Sequence, residues 1–153
     1  MAMTDRSYPP RPILAVSTAV IRGDRMLVAQ RANPPGRGLY SLPGGLVEIG
    51  ETLAEAAARE LMEEVSVLAA PVGLCSARDI ITRDADGRVE RHFVVVSYAA
   101  RWLSGEGEPS PEASDIRWVS LAEIGRLATT DGLADVARAA FALAAAGGLA
   151  APA

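Results

Sequence analysis

The sequence predicts an α/β fold in which a mixed β-sheet carries helices on its faces. Three observations point there. Two apolar, β-branched runs at residues 13–21 and 26–31 are separated by a short Gly-Asp turn. An amphipathic helix follows at 52–65. Strand-like stretches then return over 67–103 before the chain turns helical again. Strands interrupted by one helix and closed by others need a sheet layered with helices.

Each element has a local reason. Residues 1–12 hold arginines and prolines with no apolar run behind them, so they read as a flexible tail and not as an export signal. Arg22-Gly23-Asp24-Arg25 supplies the turn between the first two strands. Residues 32–45 read as a loop, because Pro34, Pro35, Gly36, Gly38, Pro43, Gly44 and Gly45 stand within fourteen positions. A long glycine-bearing loop inside a compact domain is usually functional.

Thr52 followed by Glu55 is a capping box that starts the helix. Leu53, Ala57, Leu61 and Val65 then recur at every fourth residue and give it one buried stripe. Asp84-Ala85-Asp86-Gly87 turns strand material at 67–81 into a second run at 89–103, where 92–98 is the strongest strand signal. A polar loop at 103–115 leads to a short strand at 116–119, a short helix at 121–127 and an alanine-rich helix at 133–146.

A chain of 153 residues, half of them hydrophobic and 22% charged, fits a single globular domain over 1–153, with 1–12 and 147–153 as tails. Its one cysteine, Cys75, excludes an internal disulfide framework and agrees with a cytoplasmic protein. The apolar end at 141–153 is mostly alanine, broken by Gly147-Gly148, and too short to span a bilayer. A net charge of −4 with no basic stripe argues against a nucleic-acid polymer as partner.

The predicted helix has a second face. At about 100° per residue, Glu60, Glu63 and Glu64 fall in one arc of roughly 100° beside the apolar stripe. Like charges at these spacings repel, and no basic residue interrupts the arc. Such carboxylates either retain a proton or bind a cation. Oxygen-only ligands suit a hard ion such as Mg²⁺ or Mn²⁺, and no histidine or cysteine stands close by to suggest zinc. Gly44 and Gly45 let the backbone come near, so that a carbonyl can reach the metal and amides can face a phosphate. Glu51 adds a carboxylate ahead of the helix, and Arg59 lies toward the edge of the arc.

These residues together resemble the Nudix box, G-x5-E-x7-R-E-U-x-E-E-x-G-U with U a bulky aliphatic residue. Gly45 is followed by Glu51, then by Arg59-Glu60-Leu61-Met62-Glu63-Glu64, and Val67 closes the 23-residue segment. One position departs: Ser66 stands where the box has its last glycine, which eases the exit from the helix. The resemblance implies the Nudix α/β/α sandwich around a mixed sheet. It implies Mg²⁺ (or Mn²⁺) held by Glu60, Glu63 and Glu64 with a carbonyl of Gly44 or Gly45, and Glu51 and Arg59 in support. The implied reaction is hydrolysis of a nucleoside diphosphate linked to another group X, with a carboxylate taking the proton of the attacking water. Glu60 is one candidate for that base; Glu112, from the later loop, is the other.

Outside the box the signals thin out. Arg31 and Arg37 are candidates for meeting substrate phosphates, as is the Gly45 backbone. His92 and Cys75 read as sheet and core residues; Tyr40 and Phe93 are candidates for stacking on a base, although core packing is the commoner role, and Trp118 reads as packing. No proline or tyrosine stands sixteen residues beyond the box, where Arg83 lies, and no coenzyme A-type motif precedes it. The look of 29–45 and 92–102 favours an ADP-ribose or nucleotide-sugar diphosphatase. A MutT-like nucleoside triphosphate pyrophosphohydrolase is the alternative; a non-catalytic nucleotide sensor would show damage to the acidic set, which is intact. A homodimer is allowed for.

Overall fold

The computed structural model describes residues 5–146. Strand β1 (Ile13–Arg22) and strand β2 (Arg25–Arg31) are antiparallel, and Gly23 takes φ +63° to close the two-residue turn between them. The apolar alternation of β2 divides its side chains between two cores. Met26 and Val28 join one cluster, Leu27 and Ala29 the other. Both faces of β1 are covered in the same way, which explains its nearly continuous apolar run.

The segment expected to be all loop contains two short strands, β3 (Tyr40–Ser41) and β4 (Gly44–Leu46). β3 pairs with β2, and β4 pairs with β1 through Ala15↔Leu46, Val16↔Gly45 and Ser17↔Gly44. The glycines that argued for a loop are what the pairing requires. A Cβ on Gly44 would stand 2.2 Å from the Val16 carbonyl oxygen.

Helix α1 (Leu53–Val65) starts where expected: Thr52 Oγ1 accepts from the Glu55 N–H, and Glu55 Oε2 accepts from the Thr52 N–H, both at 3.1 Å. It buries Ala56, Ala57, Leu61 and Val65, and Leu53 is partly buried at the rim. Ser66 ends it in the left-handed region, φ 57° and ψ 41°.

Strands β5 (Leu68–Arg83) and β6 (Val89–Ser104) form a long antiparallel hairpin, followed by β7 (Ala113–Val119), α2 (Leu121–Ile124) and α3 (Leu133–Ala145). α2 is a single turn, shorter than the expected 121–127. β6 runs parallel to β1, from Ile13↔Phe93 to Ile21↔Arg101. The sheet is therefore mixed, ordered β3-β2-β1-β6-β5 with β4 on β1 and β7 on β2. α1 covers one face, over Val16, Val20 and Leu27; Ile124 of α2 together with α3 covers the other, over Ala19, Val28 and Ala99. This is the predicted α/β/α sandwich.

Part of the expected N-terminal tail is tied down. Tyr8 donates its N–H to the Glu90 carbonyl (2.7 Å) and its hydroxyl to Asp84 (2.8 Å), and Arg88 lies over its ring. Residues 1–4 and the tail at 147–153 lie outside the described residues. No described helix is long and apolar enough to cross a membrane.

Candidate active site

The site is organised around Arg59, on the face of α1 that turns toward β4. Its Nε and Nη2 grip the two oxygens of Glu51 at 2.6 and 2.9 Å, a bidentate fork. Nη2 also donates to the Leu46 carbonyl (3.0 Å), and Nη1 to Glu60 (2.9 Å) and Glu63 (3.2 Å). Arg59 thus spends its donors on fixing the loop and the carboxylates around it. The same bonds hold the Glu51 carboxyl down at about 2.

Glu60 and Glu64 point inward. Gly45 makes the room for Glu60: a Cβ there would sit 2.4 Å from the Glu60 carboxyl carbon. Burial pushes the Glu60 carboxyl up, with Arg59 opposing. Glu64 is more deeply set and accepts the Gly44 N–H at 3.0 Å. Burial is the main cause of its rise to about 7, opposed by that N–H and aided by the charges of Glu112 and Glu60.

The third carboxylate comes from far along the chain. Glu112 lies in the loop before β7, whose end is bonded to the end of β2 through the Ala32 N–H on the Glu112 carbonyl (3.1 Å) and Asn33 Nδ2 on the Pro111 carbonyl (3.1 Å). One carboxylate oxygen each of Glu60, Glu64 and Glu112 lie within 4.8 Å of one another. Three such groups so close repel one another unless a proton or a cation neutralises them, and the all-oxygen donor set fits a hard divalent ion.

Glu63 stands outside this trio. Its side chain is 61% exposed and leans on Arg59. The helix wheel holds the reason: at about 100° per residue, Glu64 lies nearest the buried stripe, Glu60 next and Glu63 farthest. At Gly44 the N–H donates to Glu64.

Arg31 and Arg37 line one open cleft of about 310 Å³ together with Gln30, Ala32, Gly38 and Ser114. Ala32, which holds Glu112, puts this cleft beside the carboxylates, and Arg31 is near enough to lower the Glu64 carboxyl in part. A larger cleft of about 450 Å³, from Arg117 to Leu127, shares no residue with the trio. Tyr40 is buried with its hydroxyl on Asp115 (2.5 Å) and so packs rather than stacks on a ligand. Trp118 packs under Arg22. Cys75 is half-buried against the α3-side core, and burial pushes its thiol up. The clamp on Glu112 through Ala32 and Asn33 had no sequence signal, since it joins residues far apart in the chain by backbone groups.

The sequence model of the NUDIX domain matches residues 11–140. The chain belongs to the Nudix family. An ADP-ribose pyrophosphatase from Methanocaldococcus jannaschii is 29% identical over 76% of this chain and 67% of its own length. The NAD-capped RNA hydrolase NudC of Stutzerimonas stutzeri is 30% identical over 82% of this chain but only 42% of its own length. Among solved structures, a MutT NUDIX hydrolase from Burkholderia pseudomallei superposes with a TM-score of 0.70 at 26% identity, over 84% of this chain and 97% of that one. This Nudix chain is accordingly a hydrolase of diphosphate linkages in nucleotide derivatives.

Proposed function

We propose that this Nudix enzyme cleaves a nucleoside diphosphate linked to a second group, with ADP-ribose and nucleotide sugars as the leading class, and that Mg²⁺ or Mn²⁺ is held by Glu60, Glu64 and Glu112. The observation that carries the reading is the carboxylate trio within 4.8 Å, opening beside the arginine-lined cleft. The ADP-ribose lean is supported by relatives named for ADP-ribose and for NAD caps, since both compounds contain an adenosine diphosphate joined to another group.

When bound, the cation would neutralise phosphate charge and lower the pKa of a water molecule. The side chains do the rest. Arg31 and Arg37 bind and orient the diphosphate from the cleft. Glu112 takes the proton of the attacking water on the carboxylate oxygen that it does not give to the cation: its carboxylate is exposed and accepts no hydrogen bond among the described residues, whereas Glu60 is engaged by Arg59. Arg59 and Glu51 keep Glu60 in place. Glu63 serves as an outer charge on the same face. All three carboxylates of the trio come from one chain, so a homodimer is not needed to complete it.

A MutT-like pyrophosphohydrolase is the second reading, favoured by the Burkholderia pseudomallei likeness over nearly all of that chain. One experiment separates the readings: a panel of ADP-ribose, nucleotide sugars, dinucleotides and nucleoside triphosphates, assayed with Mg²⁺, Mn²⁺ or EDTA. ADP-ribose or nucleotide sugars should lead by kcat/KM, with EDTA abolishing turnover. Preference for triphosphates would select the second reading, turnover in EDTA would overturn the metal, and binding of the panel without turnover would make the chain a sensor.

A further inference from the structure

Glu112 must reach Glu60 and Glu64 from a segment, 105–112, that has no helix or strand of its own. Its far end is bonded to Ala32 and Asn33, as described. Its near end is held by a separate device. The Arg22 guanidinium, at the end of β1, lies 4.9 Å from the centre of the Trp102 ring and 3.9 Å from that of Trp118. The two indoles face the loop backbone. Trp102 Nε1 donates to the Gly105 carbonyl at 2.7 Å, and Trp118 Nε1 to the Glu106 carbonyl at 2.8 Å. Arg22 Nη1 also reaches Glu106 Oε1 at 2.9 Å.

These bonds bring the loop down onto the end of α1. The Glu108 N–H donates to the Val65 carbonyl at 2.8 Å. Gly105, at φ +92°, lies so close to α1 that a Cβ would stand 2.4 Å from the Ser66 carbonyl oxygen. Helix α1 carries two carboxylates of the trio and the loop carries the third, so the indole bonds fix one set against the other.

Resting on the assignment of Glu112 above, we propose that Trp102 and Trp118, braced by Arg22, are positioning residues that hold the 105–112 loop where Glu112 meets Glu60 and Glu64. The exposed Arg22–Glu106 pair contributes little by itself, because water screens it. The indole N–H groups are the working parts: without them two carbonyls turn to water and the loop is free to lift.

The test is Trp102→Phe/Trp118→Phe, which keeps aromatic rings under Arg22 and deletes both donors. The expected result is a fall in kcat on the order of tenfold, with KM within about twofold, because an ångström-scale displacement of a reacting group suffices for such a loss. Amide hydrogen exchange at Glu108 and Ala32 should accelerate in the metal-free protein. Added to Glu112→Gln, the pair should cost no further activity, since the group it positions is already gone. Unchanged kcat and exchange beside an impaired Glu112→Gln would overturn this proposal alone. An equal loss in the Glu112→Gln background would overturn it too, marking the tryptophans as general supports of the fold. A fully active Glu112→Gln would overturn the assignment of Glu112, and the positioning role with it. If the double variant melts early, Trp118→Phe alone carries the same three measurements.

Discussion

The Glu64 carboxyl rises to about 7 chiefly through burial, and the Gly44 N–H recovers only part of the cost. The folded protein therefore holds that proton more tightly than the unfolded chain, whose value is 4.5. The contribution of Glu64 to metal-free stability is full below about pH 4.5 and is lost as pH rises to about 7. The loss is on the order of 3 kcal/mol. Glu64→Gln should flatten this slope, so that in EDTA the variant outlasts the parent protein at pH 8 but not at pH 4.5. The same change should lower kcat by about a hundredfold or more, because charge stabilisation in the site is worth several kcal/mol. Urea melts at the two pH values and a single-substrate assay check both halves. Parallel slopes in parent and variant would show that Glu64 does not carry the proton. Glu60, Glu64, Glu51 and Arg59 were all legible in the sequence, because one helix and its entry loop bring them together at fixed spacing. The outward turn of Glu63 follows from how far it lies from the buried stripe, a gradient that membership of a common arc conceals.

Elements were readable wherever their cause is local. The capping box of α1 and the alternation of β2 depend on near neighbours and appear where expected. β3 and β4 do not: two and three residues long, they exist through pairing with β2 and β1, and glycine and proline hide them. The end of α1 shows the opposite case, a visible departure with a measurable cost. Ser66 carries a Cβ in the left-handed conformation that the box gives to glycine, and its N–H still bonds the Met62 carbonyl at 3.1 Å. Left-handed backbone costs an L-residue roughly 1–2 kcal/mol, of which the greater unfolded freedom of glycine returns a part. Ser66→Gly should therefore stabilise the protein by about 0.5–1 kcal/mol and leave kcat unchanged. Denaturant midpoints at constant slope decide it; a lower midpoint would mean that the serine is compensated by its surroundings.

Only the whole fold assembles the carboxylate trio proposed to hold the cation. Glu60 and Glu64 come with α1, but Glu112 arrives after the long β5–β6 hairpin and the loop at 105–112, so the unfolded chain has no equivalent cluster. Chain order made Glu112 a candidate; its approach to the other two depends on the Ala32 and Asn33 bonds and on the packing of the loop against α1, which no local pattern records. A ligand that binds the folded form alone stabilises it by mass action, about 2.7 kcal/mol at a hundred times Kd. For a domain of this size that is a rise in Tm of roughly 5–10 °C. Mn²⁺ should produce such a rise without any nucleotide present. Glu64→Gln and Glu112→Gln should each remove most of it, whereas Glu63→Gln, which alters an exposed side chain leaning on Arg59, should retain it. The comparison separates the trio seen in the fold from the ligand set that helix spacing suggests. A Mn²⁺ shift lost in Glu63→Gln and kept in Glu112→Gln would return the site to the face of α1 alone and leave Glu112 to proton transfer.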